Sequence, residues 1–191
     1  MTKRLALVAA CVFAGALLAG SAPAPAADTG SYTIASGTAG FTATGKPGFL
    51  HINGEGASVH GTWAIAKDQL TAAEVKIALK ELSTGIDLRD SHMKEKYLEV
   101  EKYPEAVFRA KDVALGIKAP SDLELKGDLT LHGVTKPVTV ALSLKDKGKS
   151  VEGEGDFEIL LSDFGIDIPK YMGVTVAETV KVHVTFTGAT P

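Results

Sequence analysis

A period-two alternation of apolar and polar side chains runs through this chain and restricts its fold more than any other feature. Val75, Ile77 and Leu79 alternate with Glu74, Lys76 and Lys80, and Leu123, Leu125, Leu129 and Leu131 with Glu124, Lys126, Asp128, Thr130 and His132. Val138, Val140, Leu142 and Leu144 alternate with Thr139, Ser143 and Lys145, and Val180, Val182, Val184 and Phe186 with Lys181, His183, Thr185 and Thr187. Successive side chains of a strand point to opposite faces, so each stretch reads as a strand with one dry and one wet face. That pattern belongs to antiparallel sheet, because a buried parallel strand is apolar on both sides.

Turn signals at Lys67-Asp68, Ala119-Pro120-Ser121-Asp122, His132-Gly133 and Asp146-Lys147-Gly148-Lys149 separate these runs. About eight strands result, near residues 31–44, 55–66, 70–82, 106–116, 122–132, 136–145, 150–161 and 178–188. Short strands in hairpin order with one dry face close into a sandwich or a barrel. Eight is the number at which a closed barrel is just wide enough for one small ligand. Residues 87–97 (DLRDSHMKEKY) break the rhythm and predict one short helix. Asp87 is its expected N-cap, Asp90 follows three residues on, and Leu88 and Met93 fall near one face. Tyr103-Pro104 then returns the chain to strand.

The first segment reads as a cleaved signal peptide. Lys3 and Arg4 precede an uncharged apolar run of 16 residues, Leu5 to Gly20, and Ala24-Pro25-Ala26 supplies the small-x-small cleavage pattern. The run is shorter than the roughly 20 residues of a membrane-spanning helix. Residues 1–27 are therefore expected to be removed, leaving 28–191 as one domain in a periplasmic or secreted location. Cys11 is the single cysteine. Val8-Ala9-Ala10-Cys11 matches a lipobox, but only four apolar residues would precede the cysteine, too few for a signal core. Once the signal is gone no disulfide, thiolate metal site or cysteine nucleophile is expected.

Composition narrows the function further. Twenty Lys+Arg against 23 Asp+Glu leave no basic block to track a phosphate backbone, so no nucleic-acid partner is expected. His51, His60, His92, His132 and His183 show no HxH, HxxxH or HExxH spacing, so no metal site is expected. His132 and His183 fall on the polar faces of their strands and read as solvent-exposed, as do Glu152 and Glu154. No GxSxG motif is present. No catalytic residue and no cofactor are expected. Gly54, Gly56, Gly61, Gly127, Gly153 and Gly155 lie inside or beside strands. They are read as bends and bulges that close a barrel, or as missing side chains that leave a hollow, or both.

Four blocks resemble the YceI-like family of lipid- and polyisoprenoid-binding proteins. They are residues 83–93 (STGIDLRDSHM), 102–108 (KYPEAVF), 127–138 (GDLTLHGVTKPV) and 162–166 (SDFGI). Their order and spacing cover most of the chain after the signal. The resemblance implies an eight-stranded antiparallel, lipocalin-like barrel, with the short helix between strands 3 and 4 and an apolar central cavity. It also implies binding of isoprenoid chains or similar amphiphiles without catalysis. The chain departs from the family pattern at its opening, Tyr32-Thr33-Ile34, and at Leu161, where the family often has a basic residue.

The apolar faces and the resemblance together nominate the cavity wall. From the first half come Phe41, Val59, Trp63, Ile65, Val75, Ile77, Leu79 and Phe108. The second half adds Leu129, Leu131, Val138, Val140, Leu142, Phe157, Ile159, Phe164, Val182, Val184 and Phe186. Arg89 and Lys136 are the candidates for contacting a polar head group. Micromolar binding requires about 8 kcal/mol net, and association costs roughly 4–15 kcal/mol. At about 0.8 kcal/mol per buried CH₂, the ligand must bury on the order of 15–29 carbons. The expected partner is a long-chain isoprenoid or amphiphilic lipid of the isoprenoid quinone or prenyl phosphate type, with a homodimer admissible. The rival readings are an enzyme or accessory protein of quinone and redox metabolism, and a stress-protective module whose barrel its own side chains fill.

Overall fold

The computed structural model describes residues 29–46, 48, 50–66, 69–114, 121–148, 150–171 and 173–189. The expected signal segment 1–27 and the turn residues Lys67, Asp68, Ala119 and Pro120 lie outside them.

Eight long strands close into one antiparallel barrel, with a short helical insert between the third and fourth. They are β1 (Thr29–Lys46), β2 (Leu50–Ala66), β3 (Gln69–Ala78), β4 (Glu105–Ala110), β6 (Ser121–Leu131), β7 (Val134–Asp146), β8 (Ser150–Leu160) and β10 (Val174–Ala189). Two short strands, β5 (Val113–Ala114) and β9 (Lys170–Tyr171), hang on β3 and β10. Each long strand pairs with the next, and β10 returns to β1 through a register running from Thr33↔Ala189 to Lys46↔Thr175. Closure leaves no free edge among the long strands, which removes the template for edge-to-edge association.

The alternation sets the register as expected: Ile77, Val140, Leu142 and Val184 are buried, while Thr139 and Lys181 are exposed. Several strand ends differ from the expected ones. β2 starts at Leu50 and β10 at Val174, because these stretches complete the β1 ladders through Gly45↔Leu50 and Lys46↔Thr175. β3 stops at Ala78 and passes into a 3-10 turn, Leu79–Glu81. β4 stops at Ala110, before Asp112 turns the backbone to φ 54°.

The two ends of the barrel are built differently. At one end lie the helical insert, the β6–β7 hairpin and the turn after β8. The insert begins as α1 (Asp87–Ser91) and widens into a π-helical turn over His92–Tyr97, where the Leu98 N–H donates to Met93 O at 2.8 Å. Ile86, not Asp87, occupies the N-cap position, and Asp87 sits in the first turn. The hairpin turns on His132 (φ 51°) and Gly133 (φ 76°), and two successive positive φ values are what a two-residue loop between twisted strands requires. β7 pairs with β8 only from Ala141↔Asp156 onward. The 3-10 turn Leu161–Phe164 packs on β7 and β10 beyond that point, and Phe164 in it is 1% exposed.

At the opposite end the interior is filled. Tyr32 stacks on Trp63 (ring centroids 5.6 Å apart), and Trp63 meets Phe186 edge-on at 5.2 Å. Val59, Phe108, Val140, Leu142 and Val184 join the same buried cluster.

Candidate ligand-binding cavity

The half of the barrel next to the insert is hollow. A cavity of about 480 Å³ lies there, within the size range of small-molecule sites. β1 contributes Ala39, Phe41 and Ala43 to its wall; β2 contributes Leu50 and Ile52; β3 and the turn after it, Ile77, Leu79 and Leu82. On the other side stand Leu129 and Leu131 of β6, Phe157 and Ile159 of β8, and Val176, Val180 and Val182 of β10. The insert roofs the space with Ile86, Leu88, Met93, Tyr97 and Leu98. Among the described lining residues only Ile86, Leu88, His92 and Lys170 are exposed, so the mouth lies between α1 and β9. Ile86 and Leu88 are 52% and 55% exposed, an apolar lip at the entrance.

The polar side of the mouth is organised around Thr84. Arg89 donates from Nε to Thr84 Oγ1 at 2.7 Å and from Nη2 to Thr84 O at 2.8 Å. Asp90 accepts from the Thr84 N–H at 2.7 Å, from the Thr84 hydroxyl, and from Ser83 Oγ at 2.6 Å. The capping role expected of the Asp87–Asp90 pair is therefore corrected. Asp90 ties the loop before the helix and makes no cap. Partial burial disfavours its charge, but the bonds from Ser83 and Thr84 outweigh that and hold the carboxyl below the ordinary carboxylate range.

Of the nominated wall residues, the structure brings Phe41, Ile77, Leu79, Leu129, Leu131, Phe157, Ile159 and Val182 to the cavity, and Arg89 to its mouth. Val59, Val75, Phe108, Val140, Leu142, Phe164, Val184 and Phe186 pack in or against the core away from it. Trp63 and Val138 border a wider recess at the filled end, flanked by Arg109, Lys126 and Asp128. Lys136 does not reach the cavity, and the Ile65 side chain lies outside the described residues. Alternation identifies an inward face but not the height along the barrel, so it points to both halves alike. The roof and the Ile166, Pro169 and Lys170 side of the mouth carry no strand periodicity; only the shared face of Leu88 and Met93 signalled them.

Gly56 (φ 91°) lies where the β1–β2 register shifts, the bulge expected of an in-strand glycine, but Gly54, Gly127 and Gly153 have another role. The ring of Phe41 covers Gly54, that of Phe108 covers Gly127, that of Phe186 covers Gly153, and Trp63 covers Gly188; a Cβ at any of these would meet the ring. They seat aromatic rings rather than leave space. His132 is also corrected, since its side chain is only 16% exposed. Its Nδ1 donates to Phe164 O at 3.2 Å and its Nε2 lies 3.1 Å from Glu99 Oε2, which ties the hairpin to the insert's return loop and to the turn after β8. His183 is half exposed, as expected, and meets Asp156 at 2.8 Å and Glu154 at 3.9 Å. These three groups offer ligand atoms within 4.8 Å of one another on the outer wall. Sequence spacing did not reveal the set because β8 and β10 assemble it across the ladder.

A closed eight-stranded barrel, filled at one end and hollow and apolar at the other, has the architecture of β-barrels wide enough to leave an interior cavity of small-ligand size. Within that class the chain belongs to the YceI-like family, because residues 32–188 match the YceI-like domain. A UPF0312 protein of Pseudomonas syringae pv. tomato is 34% identical over 152 residues, covering 74% of this chain and 75% of that protein. Protein YceI of Escherichia coli is 32% identical over 130 residues, 62% of this chain and 65% of that protein. The fold is similar to a polyisoprenoid-binding domain from Saccharophagus degradans implicated in plant cell wall breakdown. That match has a TM-score of 0.66 and 16% identity, over 84% of this chain and 98% of that one. It is also similar to Burkholderia cenocepacia BcnA, at a TM-score of 0.64 and 18% identity, over 78% and 95% of the two chains.

Proposed function

We propose that this chain is an exported binding protein, periplasmic or secreted after loss of residues 1–27, that holds a polyisoprenoid or other long-chain amphiphile and releases it unchanged. The observation that carries this reading is the hydrocarbon-walled hollow that opens between α1 and β9. At the roughly 30 Å³ that a water-sized group occupies, a cavity of about 480 Å³ takes on the order of 16 such groups. That falls at the lower end of the chain length needed for micromolar binding, so the head of a longer ligand stays at the mouth. Among the described lining residues, the only ones able to carry charge besides the Tyr97 phenol are Arg89, His92 and Lys170. A wall of hydrocarbon supports holding rather than transforming a ligand, and the hollow favours binding over a barrel filled by its own side chains.

Native mass spectrometry of protein purified from its own cell envelope tests the proposal. The expected spectrum shows a polypeptide beginning near Ala27 or Asp28 with a long-chain lipid attached. A polypeptide diacylated on Cys11 overturns the export route. Failure of delipidated, folded protein to bind prenyl chains of any length overturns the binding role, and recovery of a chemically altered ligand points to an enzyme. Trp63 sits at the filled end, so its fluorescence follows unfolding better than ligand entry.

A further inference from the structure

Resting on the reading of the hollow as a lipid site, we infer that His132 and Glu99 form a proton-operated latch on its roof. Protonated, His132 ties the insert down and the ligand is held; neutral, it frees the return loop of the insert and the ligand exchanges. Three segments that carry cavity-lining side chains converge on this imidazole. His132 follows Leu131 on the β6–β7 hairpin, Glu99 follows Leu98 at the end of the insert, and Phe164 stands between Leu161 and Ile166 in the turn after β8. Two of the three described non-glycine residues with positive φ are Glu99 (45°) and His132 (51°), partners in this one contact. Glu99 occupies the place after the last helical turn, where the Val100 N–H returns to Lys94 O at 2.9 Å and where glycine is the usual residue. Strained backbone persists where the surroundings impose it, and the carboxylate standing in place of glycine is what reaches the hairpin.

Donor and acceptor chemistry makes the latch respond to a proton. A neutral imidazole has one N–H and one lone pair. Both partners of His132 only accept: the Phe164 carbonyl faces Nδ1 at 3.2 Å, and a Glu99 carboxylate oxygen faces Nε2 at 3.1 Å. A neutral ring with its hydrogen on Nδ1 turns a lone pair toward Glu99, and with its hydrogen on Nε2 it turns one toward the carbonyl. Only the imidazolium makes both bonds. The other charged and titratable groups around the ring leave that choice intact. Tyr103 meets the imidazole edge-on with centroids 4.8 Å apart, and the Lys102 ammonium lies over the Tyr103 ring. The hydrogen bond with Tyr103 and the charge of Glu99 hold Lys102 above the ordinary lysine value, so it stays a cation across the range where histidines titrate, about pH 5–8. Glu101 is engaged by Lys80, Asp163 beside Phe164 is exposed, and Lys136 is the next charged residue along β7.

The test follows opening of the insert by amide hydrogen exchange in delipidated mature protein at about pH 5.5 and about pH 8, with rates corrected for the intrinsic effect of pH on exchange. Protection of residues 86–98, taken relative to β2, is expected to fall between the two. Glu99 is 45% exposed, so water screens the pair and the fall is set at about three- to tenfold. In Glu99→Gln the amide N–H can donate to a neutral Nε2, and protection is expected to be equal at both pH values. His132→Asn keeps a residue that tolerates positive φ but is too short to reach Glu99, and is expected to be open at both. Release of geranylgeraniol, a probe with no titratable group, is expected to accelerate by a similar factor in the wild type alone. Equal wild-type protection at both pH values, or a pH dependence retained in Glu99→Gln, overturns the latch. Release at one rate despite a fall in protection overturns its control of the ligand. No binding of geranylgeraniol at either pH overturns the lipid reading, and the exchange data then decide the latch alone.

Discussion

Leu131 and Leu142 are a matched pair for testing whether the hollow exists independently of any ligand. They lie on neighbouring strands, β6 and β7, and are 6% and 8% exposed. Leu131 lines the cavity, whereas Leu142 packs in the filled half, where its Cδ1 stands 3.9 Å from the position of a Cβ on Gly155. Truncation of either to alanine removes three carbons from the interior, a transfer loss of about 2.4 kcal/mol at roughly 0.8 kcal/mol per carbon. New void adds about 24 cal/mol per Å³, which brings leucine truncations in packed cores up to about 5 kcal/mol. That second contribution arises in full only where neighbours once surrounded the side chain. Beside an existing hollow the deleted atoms lacked partners on one side, so less contact is lost. Leu142→Ala is therefore expected to cost about 4 kcal/mol and Leu131→Ala about 2–3 kcal/mol. At about 2–4 °C per kcal/mol for a domain of this size, the two melting points should differ by several degrees. Urea unfolding of delipidated protein, with the slope held common, measures both. Equal losses, or a larger loss at Leu131, would refute the reasoning, because the space beside Leu131 would then be packed.

The register makes a sharper contrast at adjacent positions. Val140→Asp buries an unpaired carboxylate at a site 8% exposed and should cost several kcal/mol, while Thr139→Asp on the outer face should be mild; coincident urea midpoints would reverse the assignment of faces. Gly153→Ala places a Cβ against the Phe186 ring and is expected to cost about 1–3 kcal/mol, read as a drop in thermal midpoint, and an unchanged midpoint would mean that the ring is not seated there. Because the native carboxyl of Asp90 is held below its ordinary value, its contribution is present above the unfolded value of about 3.9 and is lost as pH falls through the native value. The stability gap between wild type and Asp90→Asn should therefore narrow on acidification, and parallel stability–pH curves for the two proteins would contradict it.

The asymmetry between the ends suits a binding role. The filled end, with its stack of Tyr32, Trp63 and Phe186, carries the dense packing. The hollow end is assembled from segments that depend on a few side-chain ties. His132 joins the β6–β7 hairpin to Glu99 and to the turn after β8, and Asp90 and Arg89 fasten the insert to Thr84. Dense packing and the opening to the hollow are thereby separated along the barrel axis.

The all-β class, the inward and outward faces, the position of the helical insert and the turn at His132-Gly133 are legible in the chain before it folds. These are local properties: period-two alternation, helix and turn preferences, and the positive φ values that a short hairpin demands. Which inward residues face space and which face each other is settled by closure of the barrel. Val182 and Val184 read alike in the sequence, yet the first lines the cavity and the second packs in the filled half. The difference depends on what closure brings opposite each residue, rings over Gly153 and Gly188 at one end and the roof of the insert at the other. The charged mouth has the same origin, because Arg89 and Lys170 are far apart in the chain and meet one cavity only when β10 closes on β1 and carries β9 with it.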